Sequence, residues 1–223
     1  MGIVPNRRYV QIAFNHSTSE AQRVLRYLPR DPGIIIETGT LFCKREGMNG
    51  VRYLRQRWNG LLVADLKITD GAAQEVLFAS AAGANAITCM GSAPTETLDL
   101  FCNLCRSRGV YSMIDMLGVT NPLRKLMPMK QVPDFVVIHK GRDEEKNSRK
   151  MIRYKDISKI RVKYDVLSYV ACLLILSKIR SAFFNGADVA ILNVILPYET
   201  NEGVPINTNW SALISDVLKE LGR

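Results

Sequence analysis

Apolar residues in this chain come in short blocks, over 9–14, 34–36, 61–64, 86–90, 110–114, 135–138, 166–171 and 188–192. The block 61–64, Leu-Leu-Val-Ala, shows no polar alternation, so it reads as a strand buried on both faces, as in a parallel sheet. Helical patterns separate the blocks. Ser17-x-x-Glu20 has the form of a capping box opening a helix through Leu28. A loop over 43–47 precedes a helix over 48–58 that is basic on one face, with Val51 and Leu54 on the other. Further helices are predicted over 72–82, 95–107, 174–184 and about 210–221, and Asn121-Pro122 reads as an N-cap with proline at the first helical position. The segment 140–163 is strongly charged without a clear core face, and reads as an inserted or mobile loop with a surface helix. Strand and helix alternating at this pitch predict a parallel sheet. Eight such units filling 1–223 predict one domain, an α/β fold closed into a single (β/α)₈ TIM barrel, with an open doubly wound sheet as runner-up.

Polar residues then mark one end of that barrel. The block 61–64 runs into Asp65-Leu-Lys67-x-x-Asp70, and strand alternation points Asp65 and Lys67 to the same side, with Asp70 on the loop beyond. A solvated salt-bridge turn is the bland alternative. It explains poorly why these charges follow the most apolar strand. Asn15, Glu37, Asp65, Asp115 and His139 each close a predicted strand at its C-terminal end, the end at which barrel loops converge on a pocket. Any one of them alone is commonly a helix cap or a structural residue. Five together with Lys67 point to a site.

Composition narrows the setting. Hydrophobic residues at 47% supply a large core, and neither an eighteen-residue apolar run nor a secretory signal is present, so a membrane span is not expected. Five cysteines, an odd number set mostly in apolar segments, read as reduced thiols and a cytoplasmic location. Cys102-x-x-Cys105 lacks the second pair that a zinc or redox site requires. The net charge of +9 suits an anionic substrate; because the basic residues are spread over helices, apart from 140–163, nucleic acid is an outside reading.

Several motifs carry a resemblance. Glu37-Thr-Gly-Thr, Glu46-Gly-Met48, Ala64-Asp-Leu-Lys67-x-x-Asp70, Ala82-Gly-Ala84 and Val137-Ile-His139-x-Gly141-x-Asp143 resemble 3-hexulose-6-phosphate synthase and its sister 3-keto-L-gulonate-6-phosphate decarboxylase. Both lie in the orotidine monophosphate decarboxylase superfamily of (β/α)₈ barrels. The resemblance runs from about residue 9 to 143, and more loosely to about 195. It implies Mg²⁺ held by Glu37 and Asp65, Lys67 as a fixed positive charge beside an enediolate, and His139 as the proton carrier, since imidazole titrates near neutrality. It also implies a homodimer in which Asp70 reaches the partner's active site, and Asn15, Asp115, Lys140 and Arg142 are the candidate contacts to a sugar phosphate.

Two departures stand out. The family's first strand ends in Asp, and Asn15 takes that place here. The family also cradles phosphate on glycine backbone after strands seven and eight. Here those places fall to Cys172-Leu173 and Asn193-Val194. Burying a phosphate without paired donors is prohibitive. Either side chains hold the anion, with Lys140, Arg142 and Lys163 nearest in sequence, or ribulose 5-phosphate binds weakly and turns over little. The leading expectation is an aldol synthase with an altered phosphate site. Behind it stand a related decarboxylase or lyase acting on another ligand, and a non-catalytic relative that binds a partner through its basic surface.

Overall fold

The computed structural model describes residues 2–4, 7–147, 149–173 and 176–222, with backbone alone for 171–173 and 176–177. Its eight parallel strands are β1 (Tyr9–Phe14), β2 (Ile34–Thr38), β3 (Leu62–Ile68), β4 (Ala86–Met90), β5 (Tyr111–Asp115), β6 (Phe135–His139), β7 (Leu167–Leu173) and β8 (Val189–Ile195). Neighbours in sequence pair in space, and β8 pairs back onto β1, so the sheet closes into a (β/α)₈ barrel. The open-sheet alternative is excluded by that pairing. A two-residue strand that sequence did not announce, β9 (Val204–Pro205), pairs in parallel alongside the C-terminal end of β8.

The helices are α1 (Thr18–Leu25), α2 (Thr40–Arg57), α3 (Ala72–Ala81), α4 (Thr95–Ser107), α5 (Pro122–Leu126), α6 (Lys155–Lys163), α7 (Leu176–Phe184) and α8 (Trp210–Glu220). The capping box forms as expected: Glu20 N–H donates to Ser17 Oγ and Ser17 N–H to Glu20 Oε2. Residues 43–46, expected as loop, are helical instead, and the helix expected from 48 begins after a break. Phe42 and Cys43 bury themselves and pull the chain into α2, which breaks only at Gly47, where φ is +60°. A second correction concerns 140–163. Its helix α6 has a core face after all, with Ile157 and Ile160 fully buried. Two isoleucines among many charges make a weak periodic signal, yet they dock α6 into the outer ring like the other helices. Residues 174 and 175 of the expected seventh helix lie outside the described residues. Among the described residues no helix is long and apolar enough to cross a membrane.

Two cores follow from strand alternation. One parity faces the helices and forms the large outer core, for example Ile12, Ile36, Ala64 and Ile114. The other faces the barrel axis, where Tyr9, Ile35, Val63, Ala86, Met113, Phe135, Tyr169 and Val189 pack as a plug. Toward the C-terminal ends the same inward parity turns polar: Ile35 is followed by Glu37, Val63 by Asp65, Met113 by Asp115, Val137 by His139 and Ile191 by Asn193. The plug closes the bottom. The polar ends form the floor of a mouth at the top.

Candidate functional site

The mouth encloses a cavity of about 480 Å³ lined by Asn15, Glu37, Asp65, Lys67, Asp115, His139 and Arg142, among others. Lys67 reaches it by an unusual route. It has φ of +51°, the only positive value outside glycine among the described residues. The β3–β4 register slips between Ala64 and Ile68, and Lys67 N–H donates to Thr88 Oγ1 at 3.0 Å instead of extending the ladder. A bulge of this kind re-aims a side chain, and a left-handed lysine is strain that the surroundings must hold in place. Here the ammonium is held by two carboxylates: it donates to Asp115 Oδ2 and lies 3.4 Å from Asp65 Oδ1.

Asp115 is the hub of the far wall. It is 2% exposed and accepts from Lys67, from His139 Nδ1–H at 2.8 Å and from Leu117 N–H at 2.9 Å. Burial alone would raise its pKa, but His139 and Lys67 outweigh it and hold the carboxyl well below the usual carboxylate range. With Nδ1 engaged, His139 keeps Nε2 for other work. Burial likewise opposes charge on Lys67, yet Asp65 and Asp115 prevail and raise its pKa, so the ammonium stays charged.

The near wall carries two carboxylates at neighbouring strand ends. Asp65 Oδ1 accepts from Thr88 Oγ1 at 2.7 Å and Oδ2 from Thr40 Oγ1 at 2.6 Å. Glu37 Oε2 accepts from Gln11 Nε2. Burial, then the charge of Asp65, pushes the Glu37 carboxyl up to about 8. Two hard oxygen donors that repel each other beside open space fit a divalent cation that takes few protein ligands and completes its shell with water or substrate. Among the described residues no group of three candidate ligands occurs.

Asn15 Nδ2 donates to Asn193 Oδ1 at 3.4 Å, which places both amides on the cavity wall. Gly39 makes room for Asn15, because a Cβ there would lie 2.3 Å from its Oδ1. Lys140 lines a smaller adjoining cavity, and Arg142 lines the main one. Lys163 is exposed at the end of α6, against the Tyr164 ring. Asp70 is exposed beyond β3 and does not line its own chain's cavity. The side chains of Cys172 and Leu173 lie outside the described residues. Sequence reasoning passed over Gln11, Thr40 and Thr88. A signal existed for Gln11, the one polar residue in an otherwise apolar strand, on the inward parity of Ala13 and Asn15.

The family described as orotidine 5'-phosphate decarboxylase / HUMPS matches residues 8–156. The bifunctional enzyme Fae/Hps of Methanocella arvoryzae is 33% identical over 188 residues, covering 82% of this chain and 48% of the relative. The Fae/Hps enzyme of Methanocaldococcus jannaschii is 36% identical over 138 residues, 61% of this chain and 36% of the relative. The chain thus spans about half the length, or less, of these curated relatives. Among solved structures, 3-hexulose-6-phosphate synthase from Salmonella typhimurium superposes with a TM-score of 0.81 at 22% identity, over 96% of this chain and 98% of that one. KGPDC from Streptococcus mutans, in complex with D-R5P, gives 0.77 at 17% identity, over 97% and 98%.

Proposed function

The chain belongs to the orotidine 5'-phosphate decarboxylase / HUMPS family, and on that premise we propose that its barrel mouth is a lyase site. The reaction is a Mg²⁺-dependent aldol addition of formaldehyde to ribulose 5-phosphate through an enediolate, as in a 3-hexulose-6-phosphate synthase. The observation that carries the reading is Lys67, held between Asp65 and Asp115 by a strained backbone and facing the same cavity as Glu37 and His139.

In this reading Glu37 and Asp65 would hold the metal, which would supply Lewis-acid stabilisation of developing negative charge. Lys67 places a fixed charge beside the oxygen on which that charge develops. His139, oriented through Nδ1 by Asp115, moves the proton at Nε2. Asn15, Asp115 and Arg142 line the cavity offered to the sugar phosphate, whereas Lys140, also expected as a contact, lines the adjoining cavity. A cytoplasmic, reducing setting accords with the buried thiols of Cys43, Cys89, Cys102 and Cys105. Incubation with Mg²⁺, ribulose 5-phosphate and formaldehyde is expected to yield a hexulose 6-phosphate, and chelation to abolish it. Metal-loaded protein that consumes neither reactant overturns the assignment.

The proposal includes a homodimer with shared sites, supported by Asp70, whose exposed carboxylate lies outside its own cavity. Sedimentation at micromolar concentration should give a dimer. Asp70→Asn should lower turnover at least about tenfold without lowering the melting temperature, because exposed loop positions contribute little to stability. A monomer with undiminished activity refutes the arrangement.

A further inference from the structure

Glutamine is out of place at position 11. It is the one polar residue of β1, on the inward parity of Tyr9 and Ala13, and its register partners on β2 and β8 are Ile35 and Ile191. All four belong to the apolar plug of the barrel. Gln11 itself is 1% exposed. Burying an amide among apolar side chains is unfavourable unless hydrogen bonds replace those lost to water. Gln11 recovers them on one side only. Its Nε2 donates to Glu37 Oε2, while Oε1 is buried without a partner among the described residues. A position chosen for packing alone would be apolar, like its neighbours, and a local rule broken in this way is expected where function requires it.

The register explains how the contact forms. Ala13, not Gln11, stands opposite Glu37 in the β1–β2 ladder. Gln11 lies one inward position deeper, and the small side chain of Ala13 leaves a path along which a long one climbs to the carboxylate. Among the described residues Gln11 is the only hydrogen-bond partner of that carboxylate. Asp65 is held differently: Thr88 donates to Oδ1 and Thr40 to Oδ2. A glutamate side chain also turns about one more bond than an aspartate. Of two carboxylates at neighbouring strand ends, the shorter is thus fixed at both oxygens and the longer by a single amide. With Oε2 taken by Gln11, Oε1 is the oxygen left to a cation.

We propose that Gln11 is a positioning residue for the cation site, holding Glu37 through Nε2 in the orientation that binds a divalent metal ion together with Asp65. This rests on reading Glu37 and Asp65 as the metal pair. Partners of a metal ligand commonly change affinity by about 10–100-fold when removed. A glutamine that merely filled the barrel axis would influence stability and leave metal affinity alone.

The test is Mn²⁺ binding to the full chain without substrate, read from the paramagnetic resonance signal of the free ion, so that affinity is measured apart from turnover. Gln11→Met keeps the length of the side chain and removes the amide. It should bind Mn²⁺ about 10–100-fold more weakly than the parent. Its metal-free melting temperature should stay equal or rise, because a buried oxygen without a partner has gone. Gln11→Asn keeps an amide but is too short to pass Ala13, so it should lose as much affinity as Gln11→Met and melt below it. Tyr169→Phe is the control. Tyr169 is fully buried on the same axis and its Oη has no partner among the described residues, so Mn²⁺ affinity should match the parent. Where the chain adds formaldehyde, raising Mg²⁺ should restore most of the turnover of Gln11→Met, since the amide acts through a metal ligand and not on the substrate.

The inference is overturned if Gln11→Met binds Mn²⁺ as tightly as the parent, whether or not the chain proves to be a synthase. It is also overturned if Gln11→Met and Tyr169→Phe lose affinity alike, the mark of a general loosening of the barrel interior. A parent that binds no Mn²⁺ removes both this role and the metal pair. Weakened Mn²⁺ binding by Gln11→Met in a protein that never adds formaldehyde would refute the proposed reaction and leave the role of Gln11 standing.

Discussion

Replacing Lys67 by methionine should reduce formaldehyde-dependent turnover by about a hundredfold to a thousandfold. The ammonium is a preorganised, largely buried charge, and losing one such donor costs about 10²–10³ in rate. It also separates Asp65 from Asp115, so its loss leaves two like charges facing the same mouth. Breaking a buried pair by removing one partner costs about 3–5 kcal/mol. The lysine side chain is 21% exposed and Asp115 retains His139 and Leu117 N–H, so the stability loss should fall at or below the lower end. The two effects can be separated. Lys67→Met with Asp115→Asn should recover part of the melting temperature, because one of the two carboxylates that faced the ammonium is removed while Asp65 keeps its Thr88 and Thr40 donors, yet should recover no turnover. A single variant that keeps turnover within tenfold of the parent would show that Lys67 is a structural cation.

Much of this arrangement could be read from the chain. Asp65 and Lys67 sit two residues apart on one strand, so local alternation alone put them on one face. Glu37, Asp115 and His139 end apolar strands, and a closed parallel barrel brings all such ends together. What stayed hidden depends on contacts between distant residues. The left-handed backbone of Lys67 is stabilised by Thr88, 21 residues away, and no pattern within β3 announces it. Ile157 and Ile160 define a core face only because the outer ring has a place for them; among lysines and arginines their spacing looked accidental. Arg142 could be suspected from its charge, but that its Nε and Nη2 are buried without a partner is a property of the folded turn that the local sequence does not announce.

The metal-free protein should lose stability as pH rises from about 5 to 8, and Glu37→Gln should remove most of that slope. Burial, and then the charge of Asp65, lifts the Glu37 carboxyl from 4.5 to about 8 in the folded state. Between those values the native chain keeps a proton that the unfolded chain has released. The native state then binds more protons, and stability falls with pH across that window. The gap amounts to about 4–5 kcal/mol at about 1.4 kcal/mol per pH unit, an order-of-magnitude ceiling. Asp115 acts in the opposite sense and elsewhere: its folded value lies below the unfolded 3.8, so its contribution is complete above that pH and fades only in acid. Lys67, raised above 10.5, loses its contribution only at higher pH still. Neither adds slope between 5 and 8. A divalent cation at Glu37 and Asp65 must displace the Glu37 proton, so Mg²⁺ affinity should climb with pH, approaching tenfold per unit below 8, and level off above it. Thermal melts of parent and Glu37→Gln across pH 5–9, with and without Mg²⁺, test both parts. Parallel melting curves for the two metal-free proteins, together with Mg²⁺ binding that ignores pH, would mean that Glu37 is already ionised at neutrality and that the repulsion from Asp65 is relieved in some other way.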